Sequence, residues 1–281
     1  MLDRYVELGG CIVDTAVNYP INKRPEDFGL ATTWIADWIR ANGTEKLAVL
    51  IKVGATDNSG GAEFDLGPAS ILNTEAHFRG LFGSALVAIA IHWDNRGDID
   101  TDLDAIFDTT STFAMLLDRG LSIGFSGVRR PDLYFAAAPE LAKHWWIQVK
   151  ENIVTSTART TYSKYFPEAR YLAYGINMGG VKSEQCKGDS SLALRGMNHP
   201  ARLASRLTEF LDSTNHGLDP TPRSLNDLAL LIARMNPALS GIIIGPRNVE
   251  QLEDSIDFWK RSEGASIVSI TSILPDLGNF L

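Results

Sequence analysis

A chain of 281 residues with a net charge of −8, from 26 Lys and Arg against 34 Asp and Glu, lacks the overall positive field of a nucleic-acid or polyanion binder. Hydrophobic residues at 44% and charged residues at 21% are enough for a large packed core, and two cysteines without CxxC spacing do not make a zinc site. No apolar stretch reaches the roughly 18 residues of a membrane span. The start, MLDRYVELGG, has no apolar signal-peptide segment, so a reducing cytoplasm is expected.

The opening reads as the end of a helix, with Leu2, Tyr5 and Val6 on one face and Gly9 stopping it. The first strand-like run, CIVDTA (11–16), follows, with Cys11 expected as a small core residue. A helix over 27–41 leads to LAVLIKVG (47–54), one over 69–84 to LVAIAIHW (86–93), and one over 101–118 to LSIGFSGV (121–128). A helix over 131–142 precedes WIQVKENI (146–153) and YLAYGI (171–176). Helices over 200–213 and 223–235 flank the approach to SGIIIG (240–245), and a last helix covers 248–261. Ser224 and Asn248 are the expected caps of the last two helices. The runs are apolar without alternation, the mark of parallel strands covered on both faces.

Seven such strands spread through the chain predict one α/β domain over 1–281, a (β/α)8 TIM barrel whose first strand is missing from the sequence. A doubly wound dinucleotide fold would want GxGxxG after its first strand, and none is present. The longest break, 177–199, follows a strand and reads as an active-site loop.

Chemistry in barrels sits at the C-terminal ends of strands. There the first run carries Asp14, with Tyr19 in its loop; the second carries Lys52 and the third His92. Singly these are ordinary residues: a lysine reaching solvent, an aspartate in a turn, a core histidine. Together they form a device. Asp14 would pair with Lys52, and the ammonium would favour the phenolate of Tyr19. Tyr19 could then give a proton to a carbonyl oxygen as hydride reaches the carbon, and take it back in the reverse direction. His92 would orient the carbonyl. A Schiff-base role for Lys52 is opposed by its carboxylate partner, which keeps the amine charged.

With these residues in place, the sequence resembles the aldo-keto reductase superfamily. GGCIVDTAVNY is similar to its G...DTA..Y segment, IKVG to its lysine strand and IAIHW to its histidine strand. GFSGV, IQVKENI, LAYGINMGG and SGIIIGPRNVEQLEDSI resemble, in the same order, its later strands and its closing phosphate-binding loop and helix. The resemblance implies an oxidoreductase that uses NADP(H) on a small-molecule carbonyl substrate, without nucleic acid, membrane or metal. It implies Asp14, Tyr19, Lys52 and His92 as the catalytic tetrad. Ser126 and Gln148 match residues that hold the nicotinamide carboxamide, and Tyr174 the aromatic that stacks on the ring. Gly245 and Arg247 match positions around the adenosine 2′-phosphate, and Gln251 and Asp254 positions nearer the adenine.

Departures are Gly127 where the family has asparagine, Gly175 for a serine, Ile176 and Asn177 for Pro-Leu, and Ser255 for an asparagine near the adenine. The family also begins with a strand and helix ahead of its GG...DTA segment, and here the chain starts within that helix. Either the true start lies upstream or GASIVSITSIL (264–274) fills the gap, and the upstream start is the preferred expectation. The competing functional reading is a reductase-like binding or regulatory protein with little turnover.

Overall fold

Each apolar run becomes a strand, and helices occupy the described stretches that connect them. The computed structural model describes residues 1–97, 101–153, 155–177, 205, 207–209, 211–212 and 218–264. They fall into two units, Met1–Val149 with Arg159–Tyr171, and Lys150–Ala158 with the described part of Leu172–Leu281.

In the first unit, helix α1 (Leu2–Glu7) leads into strands β1 (Ile12–Ala16), β2 (Ala48–Val53), β3 (Leu86–Asp94), β4 (Ser122–Val128) and β5 (Trp145–Lys150). Each pairs in parallel with the next. Helices α2 (Leu30–Asn42), α3 (Pro68–Phe82), α4 (Thr101–Asp118) and α5 (Pro131–Ala137) connect them. Parallel strands lie about 4.8 Å apart, so a flat sheet would separate β1 from β5 by roughly 19 Å. Yet Gln148 on β5 donates a hydrogen bond to Asp14 on β1 at 2.6 Å. The sheet is therefore curled like the wall of a barrel, with side chains of its first and fifth strands meeting across the interior.

Outside that wall, Phe125 of β4 packs against Trp145, Tyr162 and Phe166 with centroids 5.4–5.5 Å apart. Such aromatic pairs contribute about 0.5–1.5 kcal/mol each beyond the area they bury. Helix ends follow local sterics. Helix α2 starts only at Leu30 because Gly29 sits at φ +77°. Helix α5 stops at Ala137 because Ala138, extended at φ −151°, precedes Pro139; the rest of the expected helix is a single tight turn, Pro139–Leu141. A short helix, α6 (Thr157–Tyr162), was not expected from the sequence.

Among the described residues β1 pairs with β2 alone. Ile12 is 59% exposed, and Cys11 is exposed rather than a core residue, because nothing described covers that flank. Gly10 is required here: a Cβ would collide with the ring of Tyr5, whose hydroxyl donates to the Ile12 carbonyl at 2.7 Å. Apart from Gly264, the segment 264–274 lies outside the described residues, as do 178–199 of the long loop and most of 200–213.

The second unit holds β6, which spans Arg170–Tyr174 and whose residues from Leu172 pair in parallel with β7 (Gly241–Ile243), together with α7 (Leu225–Arg234) and α8 (Val249–Arg261). Ala173, Ile176, Leu230, Leu231 and Phe258 form its core. Both expected caps are made: Ser224 Oγ accepts from Asp227 N at 3.0 Å and Asn248 Oδ1 from Gln251 N at 2.9 Å. Each is worth about 1 kcal/mol. Among the described residues no helix is long and apolar enough to cross a membrane.

Candidate active site

Lys52 is the residue that β2 should not tolerate. Every other side chain from Val49 to Val53 is an apolar core residue, and Lys52 itself is only 2% exposed. Removing an ammonium from water costs several kcal/mol unless a close counter-charge offsets it. Asp14 supplies that charge, its Oδ2 accepting from Lys52 Nζ. The other oxygen, Oδ1, accepts from Gln148 Nε2. Donors from β2 and β5 thus hold both carboxylate oxygens.

Tyr19 is placed by the backbone. Val17 N donates to Lys52 O at 2.9 Å, extending the β1–β2 ladder, and Tyr19 N turns back to Ala16 O at 3.2 Å. The Tyr19 carbonyl accepts from Ala31 N at 3.1 Å, at the start of α2. The ring then lies with its centroid 4.9 Å from Lys52 Nζ. Its hydroxyl makes no hydrogen bond among the described residues. His92 stands edge-on to Tyr19 at 5.4 Å. Burial first, and then the charge of Lys52, pull its imidazole from the ordinary 6.5 down to about 3. It is a neutral hydrogen-bonding group at any physiological pH, and its Nδ1 is buried without a partner. Gln148, Asp14, Lys52, Tyr19 and His92 are thus one continuous chain of contacts. Ser126 is half-buried on β4, next to Gly127, which is in register with Trp93. The strand is tight there: a Cβ on Gly127 would lie 3.3 Å from the His92 carbonyl oxygen and from Trp93 Cβ. That crowding is a physical reason for glycine where an asparagine was the family pattern.

Two supports escaped the sequence reading. The loop carrying Tyr19 is clasped to the loop after β2: Asn18 Nδ2 donates to Asp57 O at 2.8 Å, and the buried Asn58 donates to Arg24 O at 2.6 Å. That second loop is tied in turn to β3, where Trp93 Nε1 and Asn95 Nδ2 both donate to Ala62 O, at 3.2 and 3.3 Å. Below them Asp94, 1% exposed, takes a two-pronged contact from Arg96 and a 2.5 Å hydrogen bond from Tyr134. Burial, and then the Asp94 charge, push the Tyr134 phenol well above its ordinary value, so it remains a donor. Only the spacing of Asp94 and Arg96 could have signalled this.

The remaining expected residues lie in the second unit. Tyr174 is half-buried at the end of β6, in register with Ile243 of β7, so it neighbours the loop that carries Gly245 and Arg247. Gly245 is exposed with open space where a Cβ would be. Arg247 N donates to Gln251 Oε1 at 3.0 Å, while its side chain is exposed and makes no hydrogen bond or ion pair among the described residues. Gln251 and Asp254 are exposed one turn apart on α8. A free guanidinium beside an uncrowded glycine at a helix entrance is a donor set that fits an anion. Among the described residues no group of three or more His, Cys, Asp or Glu is placed to hold a metal ion.

Parallel strands alternating with helices, with Asp14, Tyr19, Lys52 and His92 gathered around the first three, are the features in which the sequence resembles the aldo-keto reductase superfamily. Comparison with known proteins bears out that resemblance in the fold. The glycerol dehydrogenase of Gluconobacter oxydans superposes with a TM-score of 0.64 at 16% identity, over 93% of this chain and 84% of that one. An aldo-keto reductase of Bacillus halodurans gives 0.60 at 16% identity, over 95% and 85%. A Bombyx mori aldo-keto reductase in complex with NADP gives 0.58 at 16% identity, over 91% and 75%. In sequence, Protein tas of Escherichia coli (strain K12) is 22% identical over 292 residues, covering 91% of this chain and 82% of that protein. No protein-family model matches the chain.

Proposed function

We propose that this chain is an NADP(H)-dependent carbonyl reductase, reducing an aldehyde or ketone or oxidising the matching alcohol or sugar. The observation that carries the reading is the buried Asp14–Lys52 pair, set against the ring of Tyr19 with a neutral His92 on its other side. Burying a lysine in a strand core makes no contribution to packing that leucine would not improve. Directed at a tyrosine with an uncommitted hydroxyl, it makes a proton donor.

In this reading Tyr19 gives its proton to the substrate oxygen, and Lys52 stabilises the phenolate left behind. His92, neutral, donates a hydrogen bond to the same oxygen and fixes its approach. A nicotinamide dinucleotide, when bound, would supply the hydride. Ser126 and the free oxygen of the Gln148 amide would hold its carboxamide end, and Tyr174 would cover the ring. Arg247, with the backbone at Gly245, would hold the 2′-phosphate, with Gln251 and Asp254 nearer the adenine. The fold shared with a glycerol dehydrogenase and with an NADP-bound reductase supports the same chemistry.

Gly127 favours the second reading, a cofactor-binding or regulatory protein with little turnover, because it removes one side-chain amide from the nicotinamide region. Turnover decides between them. Purified protein is titrated with NADPH by fluorescence and then assayed against a panel of aldehydes and small ketones. Tyr19→Phe should lower turnover by about 10²–10⁴ while NADPH affinity stays near wild type, since only the proton donor is lost. Full activity in that variant refutes Tyr19 as the acid, and NADPH binding without turnover in the wild type establishes the second reading.

A further inference from the structure

The expected roles place Gln148 at the cofactor and leave it out of the acid–base group. Its side chain is 3% exposed, and its amide nitrogen lies 2.6 Å from Asp14 Oδ1 while Lys52 takes Oδ2. We propose that Gln148 is a positioning residue for the Tyr19 proton donor: by holding the second carboxylate oxygen it fixes the plane of Asp14, and through Asp14 the place of the Lys52 ammonium against the Tyr19 ring.

A carboxylate gripped at one oxygen can turn about its Cβ–Cγ bond, and an ammonium on a flexible four-carbon stem follows it. The second grip comes from β5, three strand pairings along the sheet from β2, so the carboxylate is held from two separate strands. An amide suits this place because it donates without adding charge. A carboxylate there would face Asp14 at hydrogen-bond distance, where two like charges cannot both ionise at little cost. The titratable groups in the chain of contacts are Asp14, Lys52, Tyr19 and His92, and all four are present in every variant compared.

The kinetic half of this inference rests on the proposed reductase activity; the structural half does not. Wild type, Gln148→Glu and Gln148→Leu are compared. The first readout is thermal unfolding of the cofactor-free protein from pH 5 to pH 9. A protonated glutamic acid donates to Asp14 as the amide does, and next to a carboxylate it titrates well above its usual value of about 4.3. Gln148→Glu should therefore match wild type most closely at pH 5 and fall behind by several degrees as the pH rises. Gln148→Leu should show the same deficit at every pH. The second readout is NADPH-dependent aldehyde reduction. In Gln148→Glu, kcat should drop about tenfold at pH 8 and recover toward pH 5, with the aldehyde KM little changed. In Gln148→Leu it should be low throughout, which also serves if the glutamate variant does not fold.

A Gln148→Glu melting temperature that parallels wild type at every pH overturns the contact, whether or not the protein turns over. A pH-dependent deficit with kcat unaltered in both variants overturns the positioning role. The same deficit in a wild-type chain that reduces no aldehyde overturns the positioning role together with the reductase reading, and leaves the Gln148–Asp14 contact standing.

Discussion

Replace His92 with glutamine and compare how unfolding depends on pH in the two chains. In the folded wild type, burial and then the nearby Lys52 charge hold the imidazole at about 3, against 6.5 when it is free. Between those values the unfolded chain binds a proton that the folded chain refuses. The sign follows: this contribution is fully present above pH 6.5 and is lost as the pH falls toward 3. Each unit of separation is worth about 1.4 kcal/mol. Integrated from pH 7 down to pH 5, the loss is about 2 kcal/mol, which for a chain of this size moves the melting temperature by roughly 3 °C. Glutamine keeps a polar side chain of similar reach and has no proton to refuse. Carboxylates that protonate over the same range do so in both proteins and cancel in the difference. Scanning fluorimetry or calorimetry from pH 7 to pH 5 should therefore show the wild type losing stability faster than His92→Gln by that amount, whatever the offset between them at pH 7. Parallel slopes would show that the imidazole takes up a proton in the folded state, and a neutral His92 would have to be abandoned.

Arg247→Ala should weaken NADPH binding while NADH changes little, because only NADPH carries a 2′-phosphate and a charge-assisted contact of this kind is worth about 1.5–3 kcal/mol. Equal weakening of both cofactors, measured by fluorescence titration, would remove Arg247 from the phosphate site. Asn58→Ala leaves the Arg24 carbonyl without its donor, and the clasp between the first two loops should open. The expected loss is about 1–3 kcal/mol of stability, with kcat falling because the Tyr19 loop loosens. An unchanged melting temperature would show that the clasp holds nothing.

The strands were legible because a parallel strand covered on both faces has to be apolar throughout. For the same reason the polar exceptions stood out. Lys52 inside AVLIKV and His92 inside LVAIAIHWD cannot be explained by packing, and each drew attention to a strand end. Boundaries were less legible where one residue sets them from outside the periodic pattern. Gly29 and Pro139 each shortened a helix, and Gly175 at φ +64° marks the end of β6 after Tyr174. Cys11 was misplaced because hydrophobic character foretells burial only where something covers the face. β1 pairs on one side alone among the described residues.

The supports of the site were illegible for a different reason. Asp94, Arg96, Thr109 and Tyr134 come from a strand end, a loop and two helices, and each looks like an ordinary surface residue in its own segment. Their meaning lies in which segments the curl of the sheet brings together. Gln148 shows this most sharply. As one polar residue in WWIQVK it can be read only by analogy, and analogy assigns it to a ligand. What it touches depends on the angle through which four successive strand pairings turn. A sheet flatter by a few degrees at each pairing would carry β5 out of reach of β1, and the same glutamine would then face an open interior with no carboxylate to hold. The twist of parallel strands, set by backbone sterics along the whole first unit, is therefore part of what fixes the Asp14 carboxylate, and a substitution that alters the curl at β3 or β4 would reach Tyr19 without touching any residue of the tetrad.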